Sequence, residues 1–417
     1  MAPFKRFYCC ALAATLACNA LYSGAAELSL QQALQLALER NPTLQAEGFA
    51  VRAAEAELKS SQLSLPWSLG TELENFAGND SLSGIRGAEA TIRLSRTFER
   101  AGKREARIAP ARIGVSQQQQ MAERAQLELA SAVRQRYQDV VERQTRLGIL
   151  QSTRERLQTT RMRVAQWVEV GRSPTSELSL AEIAVIRATL AIDEADRSLT
   201  SGKIALSSLW GEVGTDFSTS PAELMNLPAL PNLDALVARL PQSFEQQRLA
   251  LATEQLTAQR RAEMASAKPD VTLSIGARRL EGSNQQALVF SASLPLGAPR
   301  RSVLSVERVD AQLAELTARR SAAQLDARQQ VLELYQHLAQ ARLAFETHRD
   351  ALIGTAESAV QVTRRSYELG RLNFLALAQT EQLLVDLRLA QLDAAARYHR
   401  ALLDIERLTA TSGVPAP

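Results

Sequence analysis

Residues 367–375 read Tyr367-Glu368-Leu369-Gly370-Arg371-Leu372-Asn373-Phe374-Leu375, and Val168-Glu169-Val170-Gly171-Arg172 repeats the start of that pattern 199 positions earlier. A glycine that ends one long apolar-periodic run and precedes another marks a tight turn between two helices, because glycine adopts the left-handed conformation that terminates a helix. The correspondence extends outward. Ser60 to Leu73, with Pro66 leading an alternating run, parallels Ser266 to Ile275, led by Pro269, at an offset of about 203. Arg93 to Arg104 parallels Ser291 to Arg301, each ending in a basic pair after a glycine. Each half therefore reads helix, strand, loop, strand, long helix, Gly-Arg turn, helix, which is a two-fold internal repeat.

Flanking helices show the turn to be part of a long hairpin. No proline occurs over the 63 residues from Ala111 to Ser173 or the 115 from Arg300 to Val414, so the strongest helix breaker is missing from both. From Val309, a 4,3 spacing runs through Leu313, Leu316, Arg320, Ala323 and Ala327. A four-residue step to Val331 resets the phase. The seam then continues through Leu334, Leu338, Ala341, Phe345, His348, Leu352, Thr355, Ala359 and Val362. This predicts a coiled-coil seam with one stutter. Beyond Gly370, Leu384, Leu387, Gln391, Ala394, Tyr398, Ala401, Ile405 and Leu408 keep the spacing, so the two helices pack as an antiparallel pair. A helix from Arg104 to Val170 would span on the order of 100 Å.

Four strands of about ten residues are predicted from alternation. Leu65, Trp67, Leu69, Thr71 and Leu73 share one face, as do Ala90, Ile92 and Leu94; Val271, Leu273, Ile275 and Ala277; and Leu288, Phe290, Ala292 and Leu294. The intervening positions are mostly polar or glycine. The connections 75–87 and 281–286 are rich in Gly, Asn and Ser, as turns require.

Composition narrows the class. With 46% apolar, 22% charged and only 5% aromatic residues, collagen-like and disordered chains are excluded. Lys5 and Arg6, the apolar stretch from Phe7 to Leu21 and Gly24-Ala25-Ala26 predict a secretory signal cleaved after Ala26. An uncleaved anchor and lipidation at Cys18 are the competing readings. Cleavage would remove Cys9, Cys10 and Cys18, the only cysteines, leaving nothing redox-dependent. It would also lower the net charge from +3 to +1, because the leader holds two basic residues and no acid. A chain so nearly neutral gives no reason to expect nucleic-acid binding. No later apolar run reaches 18 residues, so any membrane crossing must be by strands.

Four amphipathic strands cannot close a barrel alone, and lipid does not tolerate an open sheet edge. Either the sheet is soluble and packs on something, or several chains pool their strands. Three chains would supply twelve.

The turn at 367–375, the first-half Gly171-Arg172-Ser173-Pro174 with Glu177, and the duplicated element order resemble the TolC-type outer membrane efflux proteins over residues 27–412. Phe98-Glu99-Arg100-Ala101-Gly102-Lys103-Arg104 and the Gly-Arg-Ser-Pro turn look most like the CzcC-like heavy-metal branch. The resemblance implies a mainly α homotrimer with a small β part, a twelve-stranded outer-membrane barrel and a long α-helical periplasmic barrel. Partners would be a periplasmic membrane-fusion adaptor at the hairpin tips, an inner-membrane resistance-nodulation-division pump and outer-membrane lipid. It further implies a passive conduit that performs no catalysis, with heavy-metal cations as cargo. The expected organisation is a leader at 1–26, repeats at 27–210 and 242–412, a Pro-rich link at 211–241 and a tail at 413–417.

Glu169, Gly171, Arg172, Glu368, Gly370 and Arg371 are the candidate adaptor contacts. The plainer role is a left-handed turn with solvated charges. Acids that narrow the closed end in TolC do not carry over, because Ala376 and Gln379 stand at the comparable positions. Glu177, Glu182 and Glu381 follow the turns, and threefold symmetry would make any inward-facing one a ring of carboxylates, a cation-selective constriction. Arg93, Arg96, Arg100, Lys103, Arg104, Arg300 and Arg301 are expected at strand-to-helix junctions, anchoring the rim against headgroups or acids. His337, His348 and His399 fall on predicted helices without metal-ligand spacing, and no nucleophile elbow or phosphate loop is present. No catalytic, cofactor or metal residue is expected. The alternatives are a type I secretion or drug-efflux conduit and, in a different class, a secreted coiled-coil scaffold with a soluble β cap.

Overall fold

A computed structural model describes residues 26–76, 78–80, 84–85, 87–220, 224–296 and 298–411. The expected leader apart from Ala26, the three cysteines and the 413–417 tail lie outside these residues, as do the side chains of 298–300. The first half comprises β1 (Ala26–Glu27), α1 (Leu30–Arg40), α2 (Pro42–Gln62), β2 (Ser68–Glu74), β3 (Glu89–Phe98), α3 (Lys103–Glu169) and α4 (Thr175–Ser207). A connecting region with β4 (Phe217–Ser218) and α5 (Leu233–Arg239) leads to α6 (Phe244–Ser266), β5 (Val271–Leu280), β6 (Gln285–Ser293), α7 (Ala298–Thr347), α8 (Ile353–Glu368) and α9 (Phe374–Thr409).

The first two helices are set by side-chain caps. Ser29 and Gln32 form a reciprocal capping box at α1. Asn41 caps α2, accepting from the amides of Thr43 and Leu44, while its Nδ2 donates to the Leu209 carbonyl at 2.7 Å. At the start of α3, Ala101 and Gly102 are both left-handed, with φ of 57° and 77°. The helix then runs 67 residues with Pro110 inside it, so the expected span holds to within one residue at each end. It pairs with α4 as the first hairpin; α7, α8 and α9 make the second.

Up to Phe345 the second-hairpin seam is as expected except at Arg320, which is exposed. Val309, Val331, Leu338, Ala341 and Phe345 are buried, as are Leu384, Gln391, Ala394, Tyr398, Ala401 and Ile405 across from them. Beyond Phe345 the expected positions are off by one. Leu352 and Val362 are exposed, and Ala356, Val360 and Tyr367 are buried instead. A π-helical turn at His348–Leu352 accounts for this: its wider ring holds one additional residue and rotates everything beyond it by one position.

Strands β2, β3, β5 and β6 form one antiparallel sheet in that order. The register aligns Leu69, Leu94, Ile275 and Phe290 in one row and Thr71, Ile92, Ala277 and Leu288 in the next, giving a single apolar face. On the opposite face Ser68, Ser95, Ser274 and Ser291 share a row, flanked by Gly70, Arg93, Gly276 and Val289. The apolar face is uncovered within the chain, with Leu69, Leu288 and Phe290 each more than two-thirds exposed. β2 is shorter than expected because Pro66 lacks an amide donor and Asn75 turns the chain with φ 55°. Arg93 lies in mid-strand, 2.9 Å from Glu72, so its expected place at a strand-to-helix junction is corrected. No helix among the described residues is long and apolar enough to cross a membrane.

Candidate functional site

Both hairpin turns use the same hydrogen bonding. Gly171 and Gly370 each have φ 71°, and the Arg172 and Arg371 amides reach back to the carbonyls of Trp167 and Ser366, at 2.7 and 2.9 Å. Such bonds close the last helical turn around a left-handed glycine. A Cβ would meet nothing at either glycine, so backbone conformation and not space selects the residue.

The structure brings the two turns together at one tip. Arg172 donates from Nη2 to the Glu368 carbonyl at 3.0 Å, and the Glu368 carboxylate pairs with Arg163. The Arg172 guanidinium also lies 5.2 Å from the centroid of Trp167. Glu169, Gly370 and Arg371 are exposed beside them. The six tip residues expected from sequence thus share one surface. Beneath it Val164, Ala181, Tyr367, Phe374 and Leu377 form a buried cluster. Tyr367 stands at its centre, 5.1 Å from Trp167 and 6.0 Å from Phe374 between ring centroids.

Glu177 is the polar element of this cluster. Its carboxylate accepts from Ser173 Oγ at 2.5 Å, from Tyr367 Oη at 2.9 Å and from the Phe374 amide at 3.1 Å. Phe374 is the first residue of α9, so the anion also sits at the positive end of that helix. Burial opposes the charge, but the donors from Ser173, Phe374 and Tyr367 outweigh it and hold the carboxyl below its ordinary value. The Tyr367 hydroxyl is pushed up to about 12, first by burial and further by Glu177.

This geometry changes the expectation for the constriction acids. Glu177 has both oxygens committed between the hairpins. Glu381 pairs with Arg364 at 2.7 Å and is largely covered. Only Glu182, 3.5 Å from Arg161, is open to solvent. Sequence reasoning missed Ser173, Trp167, Tyr367 and Phe374 as participants. A signal was present: an aromatic residue lies in the last turn before each glycine, and Ser173 stands four residues before Glu177, within reach of its carboxylate across the start of α4.

Of the three histidines, His399 is buried against the Leu224 carbonyl at 3.1 Å, and burial lowers its pKa. His348 bonds the Ala344 carbonyl at the start of the π turn, and His337 is exposed. Among the described residues no three His, Cys, Asp or Glu side chains are grouped to hold a metal.

Residues 33–212 match the family described as outer membrane efflux protein. The cobalt-zinc-cadmium resistance protein CzcC of Cupriavidus metallidurans is 23% identical over 392 residues, covering 92% of this chain and 90% of that protein. The crystal structure of CusC superposes with a TM-score of 0.77 at 16% identity, covering 94% of this chain and 96% of that one. VceC of Vibrio cholerae gives 0.72 at 16% identity over 91% and 95%. The open state of the MtrE channel of Neisseria gonorrhoeae gives 0.72 at 18% over 91% and 88%.

Proposed function

We propose that this chain, whose residues 33–212 match the outer membrane efflux protein family, is the outer-membrane channel of a tripartite efflux system, a passive homotrimeric conduit from the periplasm to the outside. A resistance-nodulation-division pump in the inner membrane would supply the energy, and a periplasmic adaptor would join the two. The observation that carries this reading is the two-faced sheet. Its outer strands β2 and β6 have no partner on their outer edges among the described residues, and its apolar face is uncovered. In lipid such a sheet persists only if closed. Three copies joined β6 to β2 around a threefold axis give twelve antiparallel strands, with Leu69, Leu94, Ile275 and Phe290 toward lipid and the serine and arginine rows toward the lumen. The hairpins continue the lumen as a tube into the periplasm. Residues 27–210 and 242–412 are the two repeats of this unit, with 211–241 linking them.

The tip formed by Glu169, Gly171, Arg172, Glu368, Gly370 and Arg371 is the adaptor-docking surface, and Glu182 is the remaining candidate for a pore constriction. Heavy-metal cations are the cargo this reading favours. Its support is the likeness to CzcC together with the polar sheet face, where Glu72, Glu74 and Glu89 outnumber Arg93 and Arg278. The test is to purify the protein from outer membranes in detergent, measure its mass and record single-channel conductance. A trimer that conducts is expected, and its gene should be required for resistance to divalent metals in its host. A water-soluble monomer would overturn the channel, and deletion that sensitises cells only to organic drugs would overturn the cargo.

A further inference from the structure

At the helix-side end of the apolar face one charged group interrupts the apolar rows. Arg96 pairs across the sheet with Leu273, which pairs with Ala292, so its side chain leaves the strand on the same face as Leu94 and Ile92. Its guanidinium lies 5.0 Å from the ring centroid of Trp67 and 5.5 Å from that of Phe98, both on the same face. Among the described residues the Arg96 side chain makes no ion pair and no hydrogen bond. At the opposite end of the face, Arg279 is met by Glu281 at 2.9 Å. The two ends therefore differ: one arginine is neutralised within the chain, and the other is held by two rings and left without an anion.

The surroundings of Arg96 are short of negative charge. Glu99 is engaged by Arg107 and Asp270 by Lys103, each at 2.9 Å, while Arg104 reaches only the Gln62 carbonyl. Trp and Phe beside a cation, at the border of an apolar band, is the arrangement found where a protein meets the headgroup layer. A guanidinium offers two parallel N–H donors that fit a phosphate. Its pairing with two ring faces fixes its direction while leaving those donors available.

We propose that Arg96, with Trp67 and Phe98, binds the phosphate of a phospholipid at the periplasmic edge of the barrel, one lipid per protomer. This rests on the reading of the sheet as part of a membrane barrel. The lipid phosphate neutralises the guanidinium, the two rings contact the glycerol and upper acyl region, and Arg100 and Arg104 add charge attraction that favours anionic headgroups.

The test uses the detergent-purified full assembly, delipidated and titrated with phosphatidylglycerol, with bound lipid counted by native mass spectrometry. Wild type should retain one phosphatidylglycerol per protomer and bind diacylglycerol, which lacks the phosphate, about tenfold more weakly. Arg96→Gln should lose phosphatidylglycerol by about the same factor, and Arg96→Lys should recover part of it. Inorganic phosphate at equal concentration should not displace the lipid, because the apolar contacts are missing from it. Equal retention of diacylglycerol by wild type, or unchanged retention by Arg96→Gln, overturns the site. A separate measurement isolates the underlying reading: in vesicles of brominated-chain phosphatidylcholine, the emission of a Leu69→Trp variant should be quenched. Absence of quenching overturns both the barrel and the site, whereas quenching with unchanged lipid retention overturns the site alone.

Discussion

The Tyr367 hydroxyl donates a 2.9 Å hydrogen bond to the Glu177 carboxylate, joining residues 190 positions apart in the chain and belonging to different hairpins. With the Phe374 amide on the other oxygen, this carboxylate links the end of α8, the start of α9 and the start of α4. Removing it leaves the Phe374 amide without its acceptor. Hydrogen bonds to a charged group contribute about 1.5–3 kcal/mol, so Glu177→Ala should raise local opening of the tip by about tenfold or more, read as faster hydrogen exchange at the amides of 367–374. Exchange in the sheet should be unchanged.

The same carboxylate makes the tip sensitive to acid. Its folded-state pKa is depressed, so its stabilisation is fully present above the ordinary carboxylate value of 4.5 and is lost as pH falls through the lower folded value. In a chain whose other tryptophans, Trp67 and Trp210, are replaced by phenylalanine, Trp167 emission should report loosening of the tip below about pH 4. Glu177→Gln should lack this transition. A transition of equal size in the Gln variant would show that another group is responsible.

Gly171 and Gly370 have open space where a Cβ would stand, so alanine costs only the left-handed backbone, about 1 kcal/mol at each turn. Gly171→Ala and Gly370→Ala should therefore assemble normally. Valine, stiffer at this backbone conformation, should reshape the shared tip surface and abolish cross-linking to the adaptor while leaving the trimer intact. Normal cross-linking by the double valine variant would remove the docking role from the turns.

Much of this architecture was legible in the residues because its elements are long and periodic. The α9 seam from Leu384 to Ile405 and the alternation within β3, β5, β6 and the paired part of β2 match the structure. The π turn at His348–Leu352 was not legible, since an unbroken apolar spacing continues through it and only packing against α9 decides which phase is buried. Glu177 was visible as an acid after a turn. Its partners were not, because Tyr367 and Phe374 reach it from a hairpin nearly 200 residues away, and no local pattern records that approach.

The π turn supports its own prediction. Its fifth residue is in effect an insertion into an α-helix, so deleting Asp350 should let the turn relax to α geometry while Phe345 and Ala356 both keep facing the core. Asp350 is exposed and pairs only with its neighbour Arg349. Deleting Glu357 instead, beyond the turn, would rotate Val360 and Tyr367 out of phase with Ala356 by about 100°. The Asp350 deletion should assemble at close to normal yield in the outer membrane, and the Glu357 deletion should be degraded. Equal yields would mean that the seam tolerates slippage.

Within the sheet, Gly276 pairs with Arg93, and a Cβ there would stand 2.5 Å from the Ile92 carbonyl oxygen, a backbone atom that cannot move aside without breaking the β3–β5 ladder. Among the described residues that ladder is the sole junction between the strands of the first and second halves of the four-stranded sheet. Gly276→Val should thus separate the sheet into two hairpins, each too small to persist alone, whereas Gly70→Val, which meets nothing, should be tolerated. Trimer recovered from outer membranes in mild detergent distinguishes them: near-normal for Gly70→Val and reduced by an order of magnitude for Gly276→Val. Comparable recovery of the two would mean that β3 and β5 shift apart without cost, and the register on which the two faces of the sheet depend would no longer be set by this pair.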